Sequence, residues 1–125
     1  MIYGIGIDIV EIERFNSSEK VEKFSKRILS SQEKNIYHSL DSKNKHVYIA
    51  KQFALKEAIS KALGTGIRGG VNFKDLQILR DDNGKPFFDP LNKIQDILKD
   101  LGIKQSHVSL SDENNYVTAI AILEI

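Results

Sequence analysis

Three ionisable side chains occupy places where a charge is awkward. Asp8 lies in the run IYGIGIDIV, residues 2–10, among isoleucines and glycines. An acid inside a strand is unfavourable unless it is exposed, paired or holding a cation. Glu57 and Lys61 stand four apart in KQFALKEAISK, residues 51–61, so a helix there puts them on one face. The same helix end carries Lys56 and runs into GTGIRGG, whose glycines let backbone amides approach a phosphate. Together these features outline a magnesium–phosphate site with Gly64, Thr65 and Gly66 beside the phosphate. Magnesium needs only one or two carboxylates besides waters and phosphate oxygens, and Asp8 and Glu57 would supply them. Plainer readings stand beside this one: an exposed acid on an edge strand, and a surface ion pair worth about 0.3–0.5 kcal/mol.

A second group lies in HVSLS, where His107, Ser109 and Ser111 alternate with Val108 and Leu110. A lone histidine is more often structural, but its polar companions admit a phosphate contact or a proton transfer. A third is the basic series Arg14, Lys20, Lys23, Lys26 and Arg27, broken by Glu19 and Glu22. Such a run is usually a solvated helix face, although a contiguous stripe can also dock an acidic partner. The early Gly-Ile-Gly is not a dinucleotide fingerprint, because its glycines fall inside the strand pattern and no third glycine follows. Nor is the later glycine-rich loop a P-loop, since the lysine precedes the glycines.

The elements that must position these groups follow from periodicity. Residues 2–10 alternate, with Ile5, Ile7 and Ile9 on one face and Gly4, Gly6, Asp8 and Val10 on the other. Asn16, with Glu19 three positions on, predicts a helix cap and a helix over about 17–29. Ser30 and Glu33 form a second capping box before Ile36, Tyr37 and Leu40. From about Asp41 to Leu63 the apolar spacing predicts one long helix ended by Gly64. Asn83-Gly84 signals a hairpin with a type I′ turn, and Asp89-Pro90 a cap and first turn for a helix closed by Gly102. HVSLS and YVTAIAILEI make a terminal hairpin. The order β, α, α, α, β, β, α, β, β is that of an α+β fold with a mostly antiparallel sheet, in a single domain over 1–125.

Bulk composition narrows the function classes. With 41% hydrophobic and 28% charged residues the chain folds, and a net charge of +1 argues against a dedicated nucleic-acid binder. The absence of cysteine rules out disulfides, thiolate zinc and a cysteine nucleophile. No apolar run approaches the ~18 residues of a membrane span, and no signal-peptide pattern opens the chain, so a cytoplasmic location is expected.

Three segments, GIGIDIVEIERF, FALKEAISKALGTGI and HVSLSDENNYVTAIAILE, in this order and at this separation, resemble the bacterial holo-acyl-carrier-protein synthases, the short group of 4′-phosphopantetheinyl transferases. The resemblance covers essentially the whole chain. It implies transfer of 4′-phosphopantetheine from coenzyme A to a serine of apo-acyl carrier protein, releasing adenosine 3′,5′-bisphosphate, in support of fatty acid biosynthesis. It also implies magnesium on Asp8 and Glu57, with Lys61 and His107 around the phosphates. Asn83, Gly84, Lys85 and Pro86 would border the adenine, and Arg14, Lys20, Lys23, Lys26 and Arg27 would receive the carrier. A homotrimer with its sites at subunit interfaces is implied as well.

Two departures stand out: Gln52 where many relatives have arginine, with Lys51 as a substitute charge, and Asp112 where some have histidine. Glu57 and His107 both remain candidates for the base that deprotonates the serine. Two other classes compete with the transferase: a non-catalytic adaptor using the basic helix, and a magnesium-dependent phosphohydrolase acting on coenzyme A or a nucleotide.

Overall fold

A computed structural model describes residues 1–64 and 71–125 of the chain. Strand β1 (Ile2–Glu11) opens the fold and leads through a 3-10 turn, Ile12–Phe15, into helix α1 (Ser18–Ile28). Helix α2 (Ser31–His38) and the long helix α3 (Ser42–Leu63) follow. A second 3-10 turn, Phe73–Asp75, precedes the short strands β2 (Ile78–Arg80) and β3 (Pro86–Phe88), then helix α4 (Lys93–Asp100). Strands β4 (Gln105–Asp112) and β5 (Tyr116–Glu124) close the chain. The main sheet has the order β1-β5-β4, antiparallel throughout, and β2 and β3 form a separate antiparallel pair. The fold is α+β.

One face of the main sheet lies on α3. Val10, Val108, Val117, Ala119, Ala121 and Leu123 are buried there against Ala54, Ala58 and Ala62. The Gly-Ile-Gly of the first strand explains how closely the layers meet. A methyl group added at Gly4 would overlap the carbonyl oxygen of Ala62, and one at Gly6 the carbonyl oxygen of Ala58. Two residues along a strand advance about 6.7 Å and four along a helix about 6 Å. Each two-residue step up β1 therefore matches a four-residue step down α3, and the next step after Gly6 brings Asp8 level with Ala54. There it is near Glu57, one turn on, and within reach of the Lys61 side chain, which leans back toward the start of the helix. The glycines serve packing, and through it they place the acid.

The opposite face of the sheet is uncovered. Ile5, Ile7 and Ile9 are each more than half exposed, and Ile120, paired with Ile7, is 37% exposed. β1 is an edge strand, as the plainer reading of Asp8 supposed, yet Asp8 points toward the helix and its side chain is only 14% exposed.

Helix ends follow the capping chemistry of the sequence, with two corrections. Ser30 and Glu33 form the complete reciprocal box, Asp41 caps α3 through the Asn44 amide, and Gly64 ends α3 in the left-handed region with φ 81°. Helix α1, however, is capped by Ser17, whose hydroxyl accepts from the Lys20 amide, while Asn16 bonds Glu13. The 3-10 turn of Ile12–Phe15 displaces the start by one residue. Helix α4 starts at Lys93 after Asn92, without a side-chain cap, because Asp89 is occupied by Gln77. The Asn83-Gly84 hairpin is real, but its loop is no two-residue type I′ turn. Gly84 alone of the pair has positive φ, and the Asp81 carboxylate organises the loop by accepting from the amides of Asn83 and Lys85.

Candidate active site

The close approach of β1 and α3 assembles Asp8, Glu57 and Lys61. Lys61 Nζ donates to Asp8 Oδ1 at 3.1 Å and to the Ile7 carbonyl at 2.9 Å, crossing from helix to strand. The other carboxylate oxygen, Asp8 Oδ2, is buried and has no hydrogen-bond partner. Glu57, half-buried on the neighbouring turn, holds its proton above the usual carboxylate range, first because burial disfavours the ion and then because Asp8 repels it. Lys61 and Arg14 oppose that shift.

Two neighbouring carboxylates, one with an orphaned buried oxygen, form a site short of positive charge. A hard divalent cation suits it, since magnesium binds through one or two carboxylates and keeps its remaining positions for water and phosphate. The described residues contain no cluster of three or more His, Cys, Asp or Glu side chains that could hold a metal, so a cation here would rest on this pair of carboxylates.

Glu57 also faces a cleft of about 580 Å³, bordered by Arg14 and Arg27 and walled by Phe24, Phe53, Ile28 and Phe73. The aromatic walls are a set of edge-to-face contacts, Phe15–Phe24 at 5.0 Å, Phe24–Phe53 at 5.8 Å and Phe53–Phe73 at 6.1 Å. Arg14 lies 5.2 Å from the Phe53 ring centre and Arg27 5.8 Å from that of Phe24, so both cations are held at the rim by ring faces. Lys20, Lys23 and Lys26 are exposed on α1 and do not line the cleft. Sequence reasoning missed the phenylalanines because apolar spacing reads them simply as core. The one local signal was an arginine three residues from a phenylalanine, Phe24–Arg27; Arg14 covers Phe53, a partner that no local spacing shows.

His107 is elsewhere. It lies on β4 in line with Ile122 of β5, which pairs in turn with Ile5 of β1, on the uncovered face of the sheet. Its Nε2 is 2.7 Å from Glu124 Oε2. With Lys85, Pro86, Phe87 and Ser109 it lines a recess of about 380 Å³. Asp8 and Glu57 point to the helical face, so the sheet separates them from His107 within one chain. Of the hairpin residues, Lys85 and Pro86 join the histidine recess, whereas Asn83 and Gly84 do not line it. Gly64 caps α3; Thr65 and Gly66 lie outside the described residues.

Lys56, grouped with the site by sequence, points into the core and is fully buried. Its ammonium donates to Glu33 Oε1 at 2.7 Å. Burial pulls its proton affinity down and Glu33 pulls it back up. Glu33 also accepts from the Ser30 and Ile78 amides and from Gln52 Nε2, so four donors surround this carboxylate. Gln52 is fully buried in the same network and accepts from Arg80 at 3.0 Å. The Gln52 side chain therefore points into the core network, where its oxygen is met by an arginine from β2. Lys51 turns instead to Asp112, 3.8 Å away.

The chain matches the family described as the 4′-phosphopantetheinyl transferase superfamily over residues 4–121, and it belongs to that family. It is 44% identical over 125 residues to a holo-acyl-carrier-protein synthase of Photobacterium profundum, covering 98% of each chain. Its fold superposes on the crystal structure of holo-acyl-carrier-protein synthase from Neisseria meningitidis with a TM-score of 0.91 at 39% identity, covering 100% of both chains. The Bacillus anthracis holo-acyl-carrier-protein synthase, solved in complex with CoA (3′,5′-ADP), gives 0.82 at 36% identity, covering 98% of this chain and 96% of that one.

Proposed function

We infer that this chain transfers the 4′-phosphopantetheine group of coenzyme A to a serine hydroxyl of apo-acyl carrier protein, giving holo-acyl carrier protein and adenosine 3′,5′-bisphosphate, in support of fatty acid biosynthesis. The observation that carries the reading is the orphaned oxygen of Asp8 beside Lys61 and near Glu57, the last of which lines a cleft rimmed by arginines. A phosphohydrolase would need the carboxylates but not the rim, and an adaptor would need the rim but not the carboxylates.

In this reading the serine oxygen attacks the β-phosphorus of the pyrophosphate, and the adenosine 3′,5′-bisphosphate leaves with the α-phosphate. Asp8 through Oδ2, together with Glu57, would hold Mg2+, which supplies neutralisation of the pyrophosphate oxygens. Lys61 provides a point cation for charge developing on the phosphoryl group, released from a pair with Asp8 that is half-exposed and weak. Arg14 and Arg27 receive the acidic surface of the carrier protein, with Lys20, Lys23 and Lys26 contributing longer-range attraction along α1. Glu57 is the proton acceptor for the serine that a single protomer offers in the cleft. His107, with Lys85 and Pro86, would complete the coenzyme A site from a neighbouring subunit.

That last step requires an oligomer, and a homotrimer is part of the proposal. The uncovered isoleucines of β1 and β5 share a sheet face with His107, and an exposed apolar edge strand of this kind is a poor surface to leave in water. Further copies of the chain are the occupants proposed for it. Among the described residues no helix is long and apolar enough to cross a membrane; the cytoplasm, where coenzyme A and apo-carrier would be met, is the proposed location.

The decisive experiment is intact-protein mass spectrometry of apo-acyl carrier protein after incubation with this protein, coenzyme A and magnesium, with a chelator control. A metal-dependent gain of one phosphopantetheine is expected. An unmodified carrier with the protein folded would refute the transferase.

A further inference from the structure

We propose that Lys56 is a positioning residue whose buried ammonium ties the two walls of the cleft to the helix carrying Glu57, fixing the width in which the carrier protein is received. The proposal rests on the transferase reading for the identity of what enters the cleft.

An ammonium has three protons, and each of these finds an acceptor from a different element. Lys56 Nζ donates to the Ile28 carbonyl at 2.5 Å, to Glu33 Oε1 at 2.7 Å and to the Phe73 carbonyl at 2.7 Å. Ile28 and Phe73 both line the cleft, and Lys56 immediately precedes Glu57. Ile28 is the last residue of α1, where carbonyls lack intrahelical partners and a cation is favoured by the helix dipole. On the other side, the turn Phe73–Asp75 bonds within itself and, through Asp75, to Leu91 and Asn92. Among the described residues, the Lys56–Phe73 bond is what hydrogen-bonds this turn to α3. With all its protons engaged and no exposure, Lys56 has no free donor for a phosphate. It acts on the reaction only through the walls it holds.

Lys56→Met keeps the apolar stem and removes the donors. In folded Lys56→Met protein, well below its melting temperature, the KM for apo-carrier should rise about tenfold while that for coenzyme A changes less than about twofold. Amide exchange at Val71–Phe73 should quicken about tenfold relative to the β5 core. A lysine that merely stabilised the fold would lower the melting temperature and leave both readouts at their wild-type values, and that result overturns the proposal. Exchange is read without turnover, so an inactive wild-type protein would sink the transferase reading while leaving the wall-tying testable. If Lys56→Met does not fold, the wild type decides: the Lys56 15Nζ resonance should shift as apo-carrier saturates the cleft. A resonance unmoved at saturation rejects the coupling.

Discussion

Helix α3 carries two charge clusters on consecutive residues, and they are opposites. The three protons of Lys56 all find acceptors, both Lys56 and Glu33 are fully buried, and the four donors on Glu33 come from the cap of α2, from α3 and from β2. Among the described residues only Arg80 Nη1, at the margin of this network, is left without a partner. Around Glu57, Asp8 and Lys61 one carboxylate oxygen has no partner, two like charges face each other, and the balancing lysine is 53% exposed. A buried polar network that is complete holds elements together; one left incomplete at a cleft stores an affinity for something absent. The first cluster is built for the protein, the second for a ligand. Their adjacency is a consequence of helix geometry, since neighbouring residues point about 100° apart.

If that contrast is right, isosteric amides should separate the two clusters. Glu57→Gln is expected to depress transfer about 10²–10³-fold, the scale of losing a charged group at a developing phosphoryl charge, with the melting temperature unchanged or raised. Activity within about threefold of wild type would remove Glu57 from the metal site. Glu33→Gln should do the reverse in kind, costing about 3–5 kcal/mol in urea unfolding because an amide nitrogen must face donors and Lys56 loses its counter-ion. A loss below about 1 kcal/mol would show the network to be slack.

A shared site can be broken by mixing. Asp8→Ala and His107→Ala proteins, each inactive alone, should recover about a quarter of wild-type activity when refolded together, because random assembly joins one intact half-site of each kind at that frequency. No recovery would place both halves in one chain's service and sink the interfacial arrangement. Gly6→Ala links the clusters to the sheet: the overlap with the Ala58 carbonyl should cost about 1–3 kcal/mol and reduce transfer by displacing Asp8.

The smallest effect is in pH. Glu57 binds its proton more tightly in the folded metal-free protein than when unfolded, so its own contribution to stability is fully present below the ordinary glutamate range. It declines as pH rises through Glu57's raised value. Denaturation at a series of pH values should show this decline in wild type and its absence in Glu57→Gln. Parallel curves would mean that neither burial nor Asp8 raises the affinity of Glu57 for its proton.

Much of the architecture was legible because its signals are local. The Ser30–Glu33 box, the Asp41 start and Gly64 stop of α3, and the alternation of β1 depend on side chains within one turn or one pleat of the group they serve. Cap positions slipped where a distant partner intervened, as when Gln77 engaged Asp89, or where a 3-10 turn shifted the frame before Ser17. The Gly-Ile-Gly motif could be rejected as a nucleotide loop from sequence, but its purpose could not be found there, since the atoms that exclude a side chain belong to a helix more than fifty residues away.

The sequence by itself settled that Glu57 and Lys61 share a helix face, that Asp8 shares a strand face with two glycines, and that His107 keeps the company of serines. Spacing decides such matters because helices and strands have fixed periods. Only the tertiary structure decided which charges wait for a ligand and which are already answered. Lys56 and Glu57 both carry a full charge in the sequence, but one finds three acceptors in the core and the other lies near an acid of β1. Partners brought from seventeen or more residues away determine whether a charge is satisfied, and no local pattern encodes them.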